Sequence, residues 1–200
     1  PEQAAKNIER LAPDADARSQ LEATLPALLT GLRRVPDPDL ALNNLERFNQ
    51  AALDRRFLLG LVRDTPRILH LLLTIFGSSQ FLSDILVRHP TLFEWLLEPG
   101  IIRRPERKEE LEEEARQAVA SARTLERRWG ALRRFKVREI LRIGLQDLLG
   151  RQTLAGITEE LSNLADVALA TALAVCREEL IQRHGVPQGV NGAGATRECG

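Results

Sequence analysis

From about residue 16 to residue 184, apolar residues recur at three- and four-residue spacing almost without interruption. No run alternates apolar and polar residues between turn pairs, as a half-buried strand does. That period lines apolar side chains along one face of an α-helix, so the sequence predicts an all-α protein. Proline and glycine mark the helix ends. Asp37-Pro38, Thr65-Pro66 and His89-Pro90 read as starts, because a first-turn proline loses no hydrogen bond. Gly77, Gly100, Gly150 and Gly185 read as stops, because glycine reaches positive φ without strain. Asp37, Thr65 and Ser78 or Ser79 offer side-chain oxygens to unpaired first-turn amides.

This punctuation predicts a multi-helix bundle of short helices over about 16–98, in a domain spanning 1–104. A polar break at Arg103-Arg104-Pro105 then leads into three longer helices, about 106–129, 131–149 and 157–184, in a region spanning 105–185. Residues 186–200 hold no helical period and are expected to be an irregular glycine-rich tail, a linker or the stump of a missing domain. No fixed repeat period argues for a solenoid. Phe76, Phe81, Phe93 and Trp95 are expected to anchor the core.

Charge excludes some partners. Lysine plus arginine and aspartate plus glutamate each number 28, so no net field draws the chain onto nucleic acid or an anionic membrane. No stretch approaches the roughly 18 apolar residues of a membrane span, and the first residues lack a signal-peptide core. Two cysteines, Cys176 and Cys199, form neither a disulfide framework nor a metal-ligand spacing. The expectation is a soluble, cytoplasmic segment of a longer chain with no nucleic-acid or membrane partner.

Few residues announce chemistry. Arg134, Arg138 and Arg142 fall on one stripe of the 131–149 helix, bordered by Leu141, Leu145 and Leu149. They are expected to pack against the 157–184 helix, paired with Glu159, Glu160 or Asp166, with Arg142 nearest the connection; the alternative makes them candidate anion or partner contacts. His70, His89 and His184 have no second ligand at helical spacing and are expected to be structural or solvated. Cys176 sits among Leu169, Ala172, Leu173 and Leu180, where a thiol acts as a small hydrophobe. The run RKEELEEEARQAVASARTLERR reads as a solvated helix face, and NGAGA lacks the strand, helix and lysine of a phosphate loop.

Three stretches carry a resemblance: FGSSQFLSDILVRHPTLFEWLLEP (76–99), LRRFKVREILRIGLQDLLG (132–150) and ITEELSNLADVALATALAVCREELIQRHG (157–185), with ALNNLERF (41–48) a shorter fourth. In order and spacing they resemble the N-terminal half of the glutamine synthetase adenylyltransferase/adenylyl-removing family. The resemblance implies a long nucleotidyltransferase polypeptide with two catalytic units. One removes AMP from a glutamine synthetase tyrosine by phosphorolysis and the other adds it from ATP, under the control of PII signal proteins and glutamine. It implies Mg²⁺ and ATP or ADP as cofactors of the intact enzyme, held by a Ser-Asp-x-Asp sequence beyond a glycine-rich turn. VNGAGATRE (190–198) stands in the place of that turn, with Ala195 and Thr196 where the family has paired glycines. No Ser-Asp-x-Asp follows, so no catalytic, cofactor-binding or metal residue is carried over. The function expected is scaffolding of the adenylyl-removing unit by a segment that is itself non-catalytic, with glutamine synthetase, PII proteins and the rest of its own polypeptide as partners. The alternative is a stand-alone helical interaction module.

Overall fold

A computed structural model describes residues 2–11, 15–52, 65–98, 100–102, 105–186, 188–190 and 196–198. The helices are α1 (Glu2–Leu11), α2 (Ala15–Leu32), α3 (Pro38–Ala51), α4 (Pro66–Ser78), α5 (Gln80–Arg88), α6 (Thr91–Leu96), α7 (Lys108–Ala120), α8 (Leu125–Leu148) and α9 (Leu154–His184). The fold is all-α. Beyond α9, residues 188–190 (β1) and 196–198 (β2) pair antiparallel, with Gly189 opposite Arg197. The 191–195 turn that holds the glycine-rich motif lies outside the described residues.

The chain divides into two compact units, one of residues 1–104 and 141–153, the other of 105–140 and 154–200. α8 therefore gives its last two turns to the first unit.

In the first unit α3 is the hub, packing on α1, α4 and α5. Its start is built as the sequence indicates: Pro38 opens it and the Asp37 carboxylate accepts the Leu40 N–H at 2.9 Å. Ser79 caps α5 through the Leu82 N–H, whereas Thr65 precedes α4 without a side-chain cap. Phe48 on α3 meets Phe76 at 5.5 Å and the edge of Phe93 at 5.6 Å, all three buried. Phe81, expected in the core, is 62% exposed. It stands at the start of α5, whose inward positions are taken by Leu82, Ile85 and Leu86.

Gly150 and Gly185, just past α8 and α9, have φ of 61° and 79°, the left-handed region that stops a helix, whereas Gly100, with φ of 103°, lies beyond α6, which already ends at Leu96. Gly77 differs. It lies within α4, and a Cβ there would stand 2.9 Å from the Val35 Cβ and 3.0 Å from the Asp37 carbonyl oxygen. The backbones approach so closely that the Asp37 N–H donates to the Gly77 carbonyl at 3.2 Å. This position needs glycine for proximity, not for a turn.

In the second unit α9 packs on α7. The core is Leu111, Ala115 and Val119 from α7, Leu132 and Phe135 from α8, and Ile157, Leu164, Val167 and Val175 from α9. The expected 106–129 helix is two elements. α7 ends at Ala120, and Thr124 accepts the Arg127 N–H at 3.3 Å to start α8. Serine and threonine hydroxyls compete locally for the backbone, which makes this a natural break.

Candidate functional site

The densest cluster of charge lies in the second unit, where α7 and α8 meet the segment preceding α7. Arg138 is at its centre. Its guanidinium donates to Glu139 at 2.8 Å and to Glu114, and it lies 5.6 Å from the centre of the Phe135 ring. The guanidinium thus lies over an aromatic face while two carboxylates hold it, an arrangement suited to a planar cation. Glu139 is fully buried. Burial alone would lower the Arg138 pKa, but the charges of Glu139 and then Glu114 outweigh it and hold the pKa above the usual arginine value.

Glu106, Glu114 and Glu139 bring carboxylate oxygens within 4.8 Å of one another, which sequence spacing did not reveal because they come from three separate places in the chain. Three hard oxygen donors are what a divalent cation prefers. Here the Arg138 guanidinium already bonds two of them, and full burial of Glu139 closes the approach a nucleotide phosphate needs. The cluster therefore does not fit Mg²⁺ bound beside ATP or ADP.

Around this cluster, charged contacts tie α9 to its neighbours. The Glu106 N–H donates to the Glu160 carboxylate at 2.9 Å, Lys108 bonds Asp166 at 3.1 Å, and Arg128 bonds Glu178 at 2.7 Å. Glu160 is buried, whereas Glu159 points to solvent.

The arginine stripe is thus not a single surface, and Arg138 pairs with Glu114 and Glu139 rather than with the expected carboxylates of α9, of which Asp166 bonds Lys108. Arg134 is exposed, Arg138 is half-buried against Glu114 and Glu139, and Arg142, in the first unit, is fully buried and the largest such side chain among the described residues. Two further expectations are corrected. The acidic run is not simply solvated, because Glu114 faces inward to Arg138. Cys176 is exposed rather than packed. Cys199 lies outside the described residues. His70, His89 and His184 are all exposed.

A second polar network joins α3 to α5 in the first unit. The Asn44 side chain, fully buried, donates to the Phe76 carbonyl at 3.1 Å and to Gln80 at 3.2 Å. Arg47 donates to Asn44 at 2.8 Å and bonds Asp84 at 2.9 Å. The Arg47 guanidinium holds the Asp84 carboxyl below its usual range, against the opposing effect of burial and with help from Gln80. The same unit has an open pocket of about 360 Å³, with Ile68, Leu71, Leu97 and Leu149 on its walls and Arg67 and Arg151 among its lining residues. Its size suits a small molecule, but it gathers no carboxylate pair and no nucleophile among the described residues.

Neither network has the parts of a catalytic centre, and both have the parts of a rigid support. Residues 69–197 match the family model described as glutamate-ammonia ligase adenylyltransferase. Among curated proteins, the chain is 33% identical over 171 residues to a bifunctional glutamine synthetase adenylyltransferase/adenylyl-removing enzyme of Chromobacterium violaceum, covering 84% of this chain and 19% of that protein. Enzymes of the same name from Pseudomonas aeruginosa and Brucella suis are each 31% identical, over 88% and 90% of this chain and 18% of their own length. The chain spans about a fifth of the length of these relatives.

Proposed function

This chain belongs to the glutamate-ammonia ligase adenylyltransferase family, and we propose that it is the helical scaffold of the adenylyl-removing nucleotidyltransferase unit of an enzyme that regulates glutamine synthetase. The match over residues 69–197, which runs through α4–α9 and the hairpin, is the observation that supports this reading. In the reaction proposed for the intact enzyme, phosphate attacks the tyrosyl-AMP of glutamine synthetase, the tyrosyl oxygen–phosphorus bond breaks, and tyrosine and ADP are released. The opposite unit forms the same bond from ATP, releasing pyrophosphate.

In this reading the described residues supply no step of that chemistry. Two of the three carboxylates they gather are bonded to Arg138, which supports placing Mg²⁺ and nucleotide on polypeptide outside this segment. What the segment contributes is shape. α7, α8 and α9 are held in register by a buried apolar core and by the Arg138, Lys108 and Arg128 ion pairs. A scaffold of this kind keeps reacting groups aligned, and small misplacements of such groups cost large factors in rate. Glutamine synthetase and PII signal proteins are the proposed partners of the intact enzyme, and the bacterial cytoplasm its proposed location. No described helix is long and apolar enough to cross a membrane.

The test is release of ADP from adenylylated glutamine synthetase in the presence of phosphate and Mg²⁺. The intact polypeptide is expected to release it and the 200-residue chain to release none. Sustained release by purified 200-residue chain would overturn the scaffold reading.

A further inference from the structure

α9 is apolar on two faces, and the structure covers one. Ile157, Glu160, Leu164, Val167 and Val175 are buried on the side that carries the unit's core. Roughly a third of a turn away, taking about 100° per residue, Leu161, Ala165, Leu169, Leu173, Cys176 and Leu180 form a second line facing solvent. Leu169 is 71% exposed and Leu173 70%. Of the eight exposed large hydrophobic side chains among the described residues, five are leucines of α9 and a sixth, Val186, follows it. Single exposed leucines are ordinary, but an apolar stripe that carries no charge from Leu161 to Cys176 is the mark of an interaction surface.

We propose that this stripe is the seam on which a further, strand-bearing unit of the same polypeptide packs. The inference rests on the scaffold reading above and names the face that does the scaffolding. Three observations choose this occupant. The relatives carry about four-fifths of their length outside the stretch this chain matches, so polypeptide to cover the stripe belongs to the family's design. The β1–β2 hairpin leaves α9 within four residues, and a two-stranded ribbon is marginal alone and has two open edges for further strands. A membrane is the poorer fit, because α9 has no lysine or arginine from Leu154 to Cys176 to meet lipid headgroups, whereas Glu159, Glu160 and Asp166 lie there.

Cys176, on the stripe itself, is a built-in probe. Maleimide labelling is followed by mass mapping of the Cys176 peptide, in the 200-residue chain and in the intact polypeptide. Labelling is expected to be fast in the chain alone and about ten-fold or more slower in the intact protein, because attack needs an accessible thiolate. Leu169→Asp with Leu173→Asp, both at exposed positions, is expected to restore fast labelling in the intact protein while far-ultraviolet circular dichroism stays unchanged. Equal labelling of Cys176 in both parent proteins overturns the inference. So does a concentration-dependent dimer of the 200-residue chain in which Cys176 is shielded and which the double variant dissolves, since a second copy then covers the stripe. ADP release by the intact parent is measured separately. Release with an unprotected Cys176 sinks the seam alone, and a protected Cys176 without release sinks the scaffold's assigned reaction alone.

Discussion

Replacing Arg138 by alanine removes the guanidinium that bonds Glu114 and the fully buried Glu139. Breaking a buried ion pair from one side costs about 3–5 kcal/mol, because the remaining charge is left in a poor dielectric. Arg138 keeps 29% of its side chain exposed, so screening discounts this to about 2–4 kcal/mol. Lost contact with the Phe135 ring adds a small part. The deficit should also depend on pH. In the variant, three carboxylates within 4.8 Å have lost that cation, so the folded state is expected to bind protons more readily than the unfolded chain. Stability then falls as pH rises through the carboxylate range, and the variant's deficit is largest at neutral pH and shrinks toward about pH 4–5. The parent's Arg138 adds no titration of its own there, because a raised pKa keeps it charged at every assay pH and its contribution is lost only above the arginine range. Arg138→Lys should fall between, since an ammonium replaces the charge but not the fork. Urea unfolding at pH 7 and pH 5, followed by circular dichroism, reads both effects. An Arg138→Ala protein within about 0.5 kcal/mol of the parent at pH 7, or one with the same deficit at both pH values, would refute the reasoning.

Arg142→Ala is expected to cost about 3 kcal/mol or more in the same unfolding assay, as a fully buried charged side chain of this size leaves both a cavity and unbalanced neighbours. Gly77→Ala gains about 1 kcal/mol of helix propensity but places a methyl group 2.9 Å from Val35, so a net loss of about 1–2 kcal/mol is expected. Gly130→Ala, whose added Cβ meets only the flexible end of Arg134 at 3.2 Å, should gain about 0.5–1 kcal/mol. Asp84 has a lowered pKa in the fold, so its contribution to stability is complete above the unfolded carboxylate pKa and is lost as pH falls through the lower, folded value. Carbon-detected NMR titration should show Asp84 protonating at lower pH than in Arg47→Ala, and identical titrations in the two proteins would dismiss the ion pair.

Periodicity made the helices legible, and proline and glycine made many of their ends so, because both follow from local backbone chemistry. Gly150 and Gly185 stop helices at positive φ, whereas Gly77, one residue before the end of α4, is held by its closeness to Val35, forty-two residues earlier, which no local pattern encodes. The same limit applies to the charge cluster. A helical period says which face Arg138 occupies, but Glu114 reaches it from another helix twenty-four residues away, and no spacing encodes that meeting. Cys176 shows a subtler failure. Its leucine neighbours mark an apolar face correctly, yet α9 has two such faces and the structure buries only the other. The family resemblance rests on 76–99, 132–150 and 157–185, stretches that hold core residues and Arg138 with Glu139 but neither Glu106 nor Glu114, so the resemblance did not reveal the cluster.

The central claim, that these helices support chemistry located elsewhere in the polypeptide, is tested most directly by complementation. The remainder of the intact polypeptide, produced without these 200 residues, is assayed for phosphate-dependent ADP release from adenylylated glutamine synthetase before and after the 200-residue chain is added. The account predicts a low rate from the remainder, none from the chain, and a rate that rises with added chain to a plateau. A remainder as active alone as the intact enzyme, unchanged by any amount of added chain, would contradict it.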